Sequence, residues 1–155
     1  MVNDMPVKKK LSASLEDYLE AIYNLGCQLK VARSKDIAET LQVSRASVTG
    51  ALKLLRDKGL INYKPYSFIT LTEKGVREAQ AVVRKHTIIE SFFVNVLGVK
   101  RQAARQAACK AEHALGPDVI SKLLSFTEFA EKYRWQGADI TSEFQKFCRS
   151  RKVYE

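Results

Sequence analysis

The chain has little cysteine, little proline and no long apolar run, and each shortage excludes a class of protein. Three cysteines in 155 residues, Cys27, Cys109 and Cys148, follow no paired spacing, which excludes a disulfide framework and points to a reducing compartment, the cytoplasm. The most apolar stretch, from Ile88 to Val99, is interrupted by Glu90 and Asn95 and falls short of the roughly 20 residues that a bilayer requires. Lys8, Lys9 and Lys10 lead into Ser12, Glu16 and Asp17 rather than an apolar segment, so no signal peptide is expected. Prolines stand only at Pro6, Pro65 and Pro117, leaving two long stretches with nothing to break a helix. No internal repeat and no low-complexity segment occurs. No glycine-rich oxyanion loop is evident either, which argues against an enzyme that would use Cys109 and His113 as nucleophile and base.

What is present is positive charge in one place. The formal net charge is +9, and residues 30–85 carry 12 Lys/Arg against 5 Asp/Glu. A positive segment of this kind is the electrostatic footprint expected opposite a phosphate backbone, although a merely solvated surface gives the same composition.

Apolar spacing makes the chain mainly helical. A first helix is expected from Leu15 to Leu25 with Ser14 as its N-cap. Two closely spaced helices follow, capped by Ser34 and Ser44. Ile37, Ala38, Leu41 and Val43 face inward on the first side of the Gln42-Val43 turn, and Val48, Leu52 and Leu55 repeat at helical spacing on the second. Gly59 suits a left-handed stop. Leu60 to Tyr63 and Phe68 to Leu71 read as strands around a turn containing Pro65. Beyond them, Thr72 opens a long helix to Leu97, another runs from Arg101 to Leu115, Pro117 starts a third, and residues 138–150 form a last one. Helix, turn, helix and two-stranded wing define a winged helix-turn-helix over residues 1–75, in which the second helix of the pair enters the major groove. Residues 76–155 form a second, all-helical domain.

On the recognition helix the buried side leaves Ala46, Gly50 and Lys53 outward, flanked by Ser47 and Thr49. Arg45 is placed to read guanine edges, Ala46 and Thr49 to meet thymine methyls, and Ser47 or Lys53 to hold phosphate. In the wing, Lys64, Tyr66 and Ser67 are candidates for contact with the backbone or the minor groove. A winged helix used only for protein contacts is the alternative.

Two clusters of metal-ligand type remain: Asp17-x-x-Glu20 in the first helix and Cys109-x-x-Glu112-His113 in a later one. Residues three and four apart share a helix face, so each cluster converges. His86 and His113 are the only histidines, and His86 sits one turn before Glu90. Each residue has a plainer reading as well: Asp17 as part of a cap, Glu20 and Glu112 as surface charges, Cys109 as a small hydrophobe, His86 as a hydrogen-bonded histidine.

The runs Leu15-Glu-Asp-Tyr-Leu-Glu-Ala-Ile-Tyr23, Val43-Ser-Arg-Ala-Ser-Val-Thr49, Leu71-Thr-Glu-Lys-Gly75, Arg84-Lys-His86 and Cys109-x-x-Glu-His113 together resemble the diphtheria toxin repressor family, most of all its manganese-regulator branch. The resemblance implies a metal-binding and dimerisation domain after the winged helix, without the additional C-terminal barrel of longer members. It implies metal ligands at Asp17, Glu20, His86, Cys109, Glu112 and His113. Asp17 follows the manganese branch and Cys109 the iron branch; Arg105 stands where the iron branch has a second-site histidine, which weighs against a second site at His86 and Glu90. The expected cofactor is Mn²⁺ or Fe²⁺, with Zn²⁺ or Co²⁺ binding in vitro. The implied function is a metal-dependent repressor, a homodimer on palindromic operator DNA controlling metal homeostasis genes, with no membrane partner and no small-molecule substrate. Phe92, Phe93, Val96, Leu97, Ile120, Leu123, Leu124 and Phe126 are the candidate dimer surface. The competing reading is a winged-helix regulator that senses a small organic ligand.

Overall fold

The computed structural model describes residues 11–65, 67–135 and 139–151. The chain divides into two compact units, Met1–Ala81 and Val82–Glu155.

In the first unit, α1 (Ala13–Leu29) buries Leu15, Tyr18, Leu19, Ile22 and Leu25 along one stripe. Its cap is Ser12, whose hydroxyl accepts from the Leu15 N–H at 3.4 Å, and not Ser14, which lies inside the first turn. Starting there puts Glu16 in the first turn, where its charge opposes the positive end of the helix dipole. The next helix, α2 (Ser34–Leu41), has Arg33 at its cap position without a side-chain cap bond, so the expected Ser34 cap is also corrected. The reason is non-local: Ala32 pairs with Ile69 of the wing in an isolated antiparallel bridge, which holds the chain extended through Arg33 and starts the helix one residue early. Gln42 takes a left-handed conformation, φ 54°, and turns the chain into α3 (Arg45–Asp57). Val43 in that turn is exposed rather than inward.

Ser44 caps α3 as the sequence suggests, accepting from the Ser47 N–H at 3.1 Å. Val48, Leu52 and Leu55 have no exposed surface and pack with Leu19, Ile22 and Ile37 into one core. Gly59, at φ 70°, ends the helix, and the Leu60 N–H reaches back to the Leu55 carbonyl at 3.0 Å, the bond that closes a left-handed helix stop. The wing is short: β1 (Ile61–Asn62) and β2 (Thr70–Leu71) pair antiparallel, Ile61 opposite Leu71. It is tied to α4 (Glu73–Ser91) by Thr72, whose hydroxyl donates to the Gly59 carbonyl at 2.8 Å and accepts from the Gly75 N–H at 3.0 Å. Gly75 is required there, because a Cβ would stand 1.9 Å from the Leu60 carbonyl oxygen.

In the second unit α4 runs on to Ser91, and the backbone then widens into a π-helical segment, Phe92–Val96, with the Leu97 N–H bonded to the Phe92 carbonyl at 3.2 Å. The expected uninterrupted α-helix to Leu97 is corrected here. Gly98, at φ 72°, ends it. The shorter α5 (Arg101–Ala111) gives way at Glu112 to a turn rather than continuing to Leu115. Pro117 opens α6 (Pro117–Trp135) as expected, and Asp139 starts α7 (Ile140–Arg151) by accepting from the Ser142 N–H at 3.0 Å. Ile89, Ala108 and Ile120 form the buried centre, joined by Ile88, Phe93, Ala111, Leu115 and Leu123. Val96 and Ile120 are therefore core residues of this unit, whereas Leu97 and Phe126 are exposed. Among the described residues no helix is long and apolar enough to cross a membrane.

Candidate metal centre and nucleic-acid interface

Within the second unit, α4 and the end of α5 bring His86, Glu90, Glu112 and His113 together. His86 Nδ1 lies 2.8 Å from Glu112 Oε2, and His86 Nε2 lies 3.4 Å from Glu90 Oε2. His113 Nε2 stands 3.5 Å from Glu112 Oε1. The imidazole of His86 is thus fixed between two carboxyl groups, one on its own helix a turn later and one from α5. Glu112 has no exposed surface, and its Oε1 atom has no hydrogen-bond partner. A buried carboxylate oxygen without a donor costs about 1–3 kcal/mol or more. It stands beside two imidazoles, and carboxylate lone pairs with a neutral ring nitrogen are donors of a kind that suits a divalent cation.

The other expected ligands stand on α5 and α1. Cys109 stands one turn before Glu112 and His113 but is exposed. Asp17 and Glu20 lie a turn apart on α1 in the first unit, both partly buried. Glu90, not among the expected ligands, is the residue that meets the second nitrogen of His86.

The first unit carries a separate feature, a groove between the start of α2, the exposed side of α3 and the wing. Arg33, Ser34, Lys35, Arg45, Thr49, Lys53, Tyr63, Pro65, Ser67 and Phe68 line it. Arg45, Ala46, Ser47, Gly50, Lys53 and Lys64 are exposed, as a reading helix and wing require, and Thr49 is partly buried. Two hydroxyls are already engaged: Thr49 Oγ1 donates to the Arg45 carbonyl at 3.0 Å, and Ser47 Oγ lies 2.9 Å from Ser44 Oγ. Tyr66 lies outside the described residues. Arg33, Lys35, Tyr63 and Phe68 were not anticipated; the Arg-Ser-Lys run at the start of α2 was the local signal for the first two.

Residues 10–69 match the iron dependent repressor N-terminal DNA binding domain, and residues 72–140 match the iron dependent repressor metal binding and dimerisation domain. The chain belongs to the iron-dependent repressor family. An HTH-type transcriptional regulator of Methanocaldococcus jannaschii is 40% identical over 119 residues, covering 76% of this chain and 95% of that protein. The transcriptional regulator MntR of Salmonella typhimurium is 35% identical over 114 residues, covering 74% of this chain and 72% of MntR. Among solved structures, the manganese regulator SloR superposes with a TM-score of 0.66 at 30% identity, over 74% of this chain and 54% of SloR. This chain therefore spans about half the length of SloR. As a member of this family it is a metal-dependent transcriptional repressor and not an enzyme: its winged helix-turn-helix binds DNA, and its helical domain binds metal and dimerises.

Proposed function

We propose that Asp17, Glu20, His86, Cys109, Glu112 and His113 hold one divalent ion, Mn²⁺ or Fe²⁺, and that the loaded homodimer binds palindromic operators of metal homeostasis genes in the cytoplasm. The observation that carries this reading is the buried Glu112 carboxyl, anchored to His86 through one oxygen and left without a donor at the other. The ion would offset the repulsion among Asp17, Glu20 and Glu112 gathered around it, each like-charge pair costing about 3 kcal/mol at ~5 Å and an effective dielectric near 20.

The residues of this chain divide the work. Glu90, beside Nε2 of His86, fixes the ring so that little rotamer freedom is lost when the other nitrogen meets the ion. Glu112 offers Oε1 from a site closed to water. Asp17 and Glu20, on the helix that supports the reading unit, make the orientation of that unit depend on occupancy. Cys109 adds a softer donor, which moves preference from Mn²⁺ toward Fe²⁺, Co²⁺ or Zn²⁺. Arg45 at the start of α3 reads base edges; Ala46, Ser47, Thr49, Gly50 and Lys53 line the approach; Lys64 and Tyr66 of the wing meet the backbone.

The test is capture of fragmented genomic DNA by the purified chain in Mn²⁺, in Fe²⁺ without oxygen, and in chelator, followed by sequencing. Palindromic sites enriched only with metal are expected, and the more effective ion identifies the effector. The same sites recovered in chelator would overturn metal gating and favour a regulator that senses an organic ligand.

A further inference from the structure

The groove of the first unit holds more positive charge than the recognition helix alone supplies. Arg33 and Lys35 enter it from the start of α2, and Arg45 and Lys53 from α3. Lys35 is offset by Glu39, 3.7 Å away. Among the described residues no carboxylate lies within ion-pair distance of Arg33, Arg45 or Lys53, so three uncompensated cations rim one concavity. Such a field is costly to maintain without an anion opposite it.

Arg33 is also held in place. Its guanidinium lies 5.1 Å from the centroid of the Phe68 ring, within the range of a cation–π contact. Its backbone is extended, φ −122° and ψ 149°, and the residue before it is bridged to Ile69, with N···O distances of 3.3 and 2.9 Å. The wing therefore holds Arg33 through the Phe68 ring and its neighbour Ala32 through a backbone bridge. Phe68 itself remains 53% exposed, an apolar ring kept at the surface for which core packing gives no reason.

We infer that Arg33 is a phosphate clamp outside the recognition helix, a positioning residue for DNA that the Phe68 ring pre-orients so that one backbone phosphate seats in this groove. This rests on the DNA-binding reading above and extends it to α2 and the base of the wing. A phosphate contact fixes register without reading sequence, whereas Arg45, at the start of α3, discriminates bases. The two roles have different signatures.

The experiment is fluorescence anisotropy of labelled duplexes between 50 and 200 mM salt, using the full chain with Mn²⁺ present, on a captured site and on a random-sequence duplex. Each phosphate contact contributes about 0.9 to the slope of log affinity against log salt. Arg33→Gln is expected to lower that slope by about 0.9 on both duplexes, so the fourfold salt increase weakens binding about 3.5-fold less than in the unsubstituted chain. The ratio between the two duplexes should stay unchanged, and Arg33→Lys should restore the slope. Phe68→Leu keeps the charge and should weaken binding several-fold at an unaltered slope. A slope unchanged in Arg33→Gln reduces Arg33 to a cover for Phe68 and overturns the proposal; Phe68→Leu binding as tightly as the unsubstituted chain overturns the positioning. If the unsubstituted chain shows no preference for the captured site, operator recognition fails while the random duplex still tests the clamp. Absence of binding to either duplex defeats both.

Discussion

Replacing Glu112 by glutamine separates what this side chain costs from what it does. The carboxyl is fully buried and its Oε1 has no hydrogen-bond partner, an unsatisfied polar atom that costs about 1–3 kcal/mol. Glutamine has the same shape. Its carbonyl oxygen can take the place of Oε2, accepting from His86 Nδ1 at 2.8 Å, and its amide nitrogen can take the place of Oε1, 3.5 Å from His113 Nε2, with a proton to donate. The substituted chain should therefore be as stable as the original without metal, or more stable by about 1 kcal/mol, which for a unit of this size raises the melting temperature by roughly 4–8 °C. With metal the order reverses. A ligand at 100 times its dissociation constant stabilises the native state by about 2.7 kcal/mol, on the order of 10–20 °C, and an amide in place of a carboxylate should remove most of that gain. Differential scanning calorimetry in chelator and in Mn²⁺ reads both effects. A metal-free melting temperature several degrees below the original would mean that Glu112 is a structural partner of His86 and nothing more. A retained Mn²⁺ shift would refute its role as a ligand.

Other substitutions test other links. Gly75→Ala places a Cβ 1.9 Å from the Leu60 carbonyl oxygen, a clash between backbone segments that should cost about 1–3 kcal/mol, seen as a lower urea midpoint. An unchanged midpoint would show that the wing and α4 separate freely. Arg45→Ala should reduce discrimination between the captured site and a one-base variant roughly tenfold while leaving most non-specific affinity; equal loss on both duplexes would make Arg45 a phosphate contact instead. Phe126, exposed on α6 with its ring 6.2 Å from Phe92, belongs to the proposed dimer surface. Phe126→Asp should shift sedimentation toward the monomer without lowering helicity, and an intact dimer would place the interface elsewhere.

Much of the fold was legible where the signal was local. The spacing of Val48, Leu52 and Leu55, the cap at Ser44 and the stop at Gly59 each appear where the residues put them, because each depends on neighbours within a turn or two. Local reasoning failed where a distant partner intervened. Ser34 has the chemistry of a cap, yet the pairing of Ala32 with Ile69 keeps the chain extended through residue 33 and leaves Arg33 in the cap position. Ser12 and Ser14 are chemically equivalent as caps, and nothing in the alternation between them favours the earlier one. The π-helical turn at Phe92–Val96 preserves an apolar sequence and so leaves no trace in a 3.6-residue period.

The sites follow the same rule. The helical spacing of Glu112 and His113 was visible, and their meeting with His86 needed only that α4 and α5 pack. That Glu90 would hold the second nitrogen of His86 was not, since its spacing fits a surface charge equally well. The Arg33 contact with Phe68 joins residues far apart in sequence, and no pattern around either one announces it.

The most direct test of the account is reciprocity. Isothermal titration of Mn²⁺ into the full chain, alone and saturated with a captured operator duplex, should show metal affinity raised by the same factor by which Mn²⁺ raises affinity for that duplex, since two sites that share one conformational equilibrium must act on each other equally. Equal metal affinities with and without the duplex, in a chain whose DNA binding is also indifferent to Mn²⁺, would contradict the claim that the His86 and Glu112 centre governs the reading of DNA.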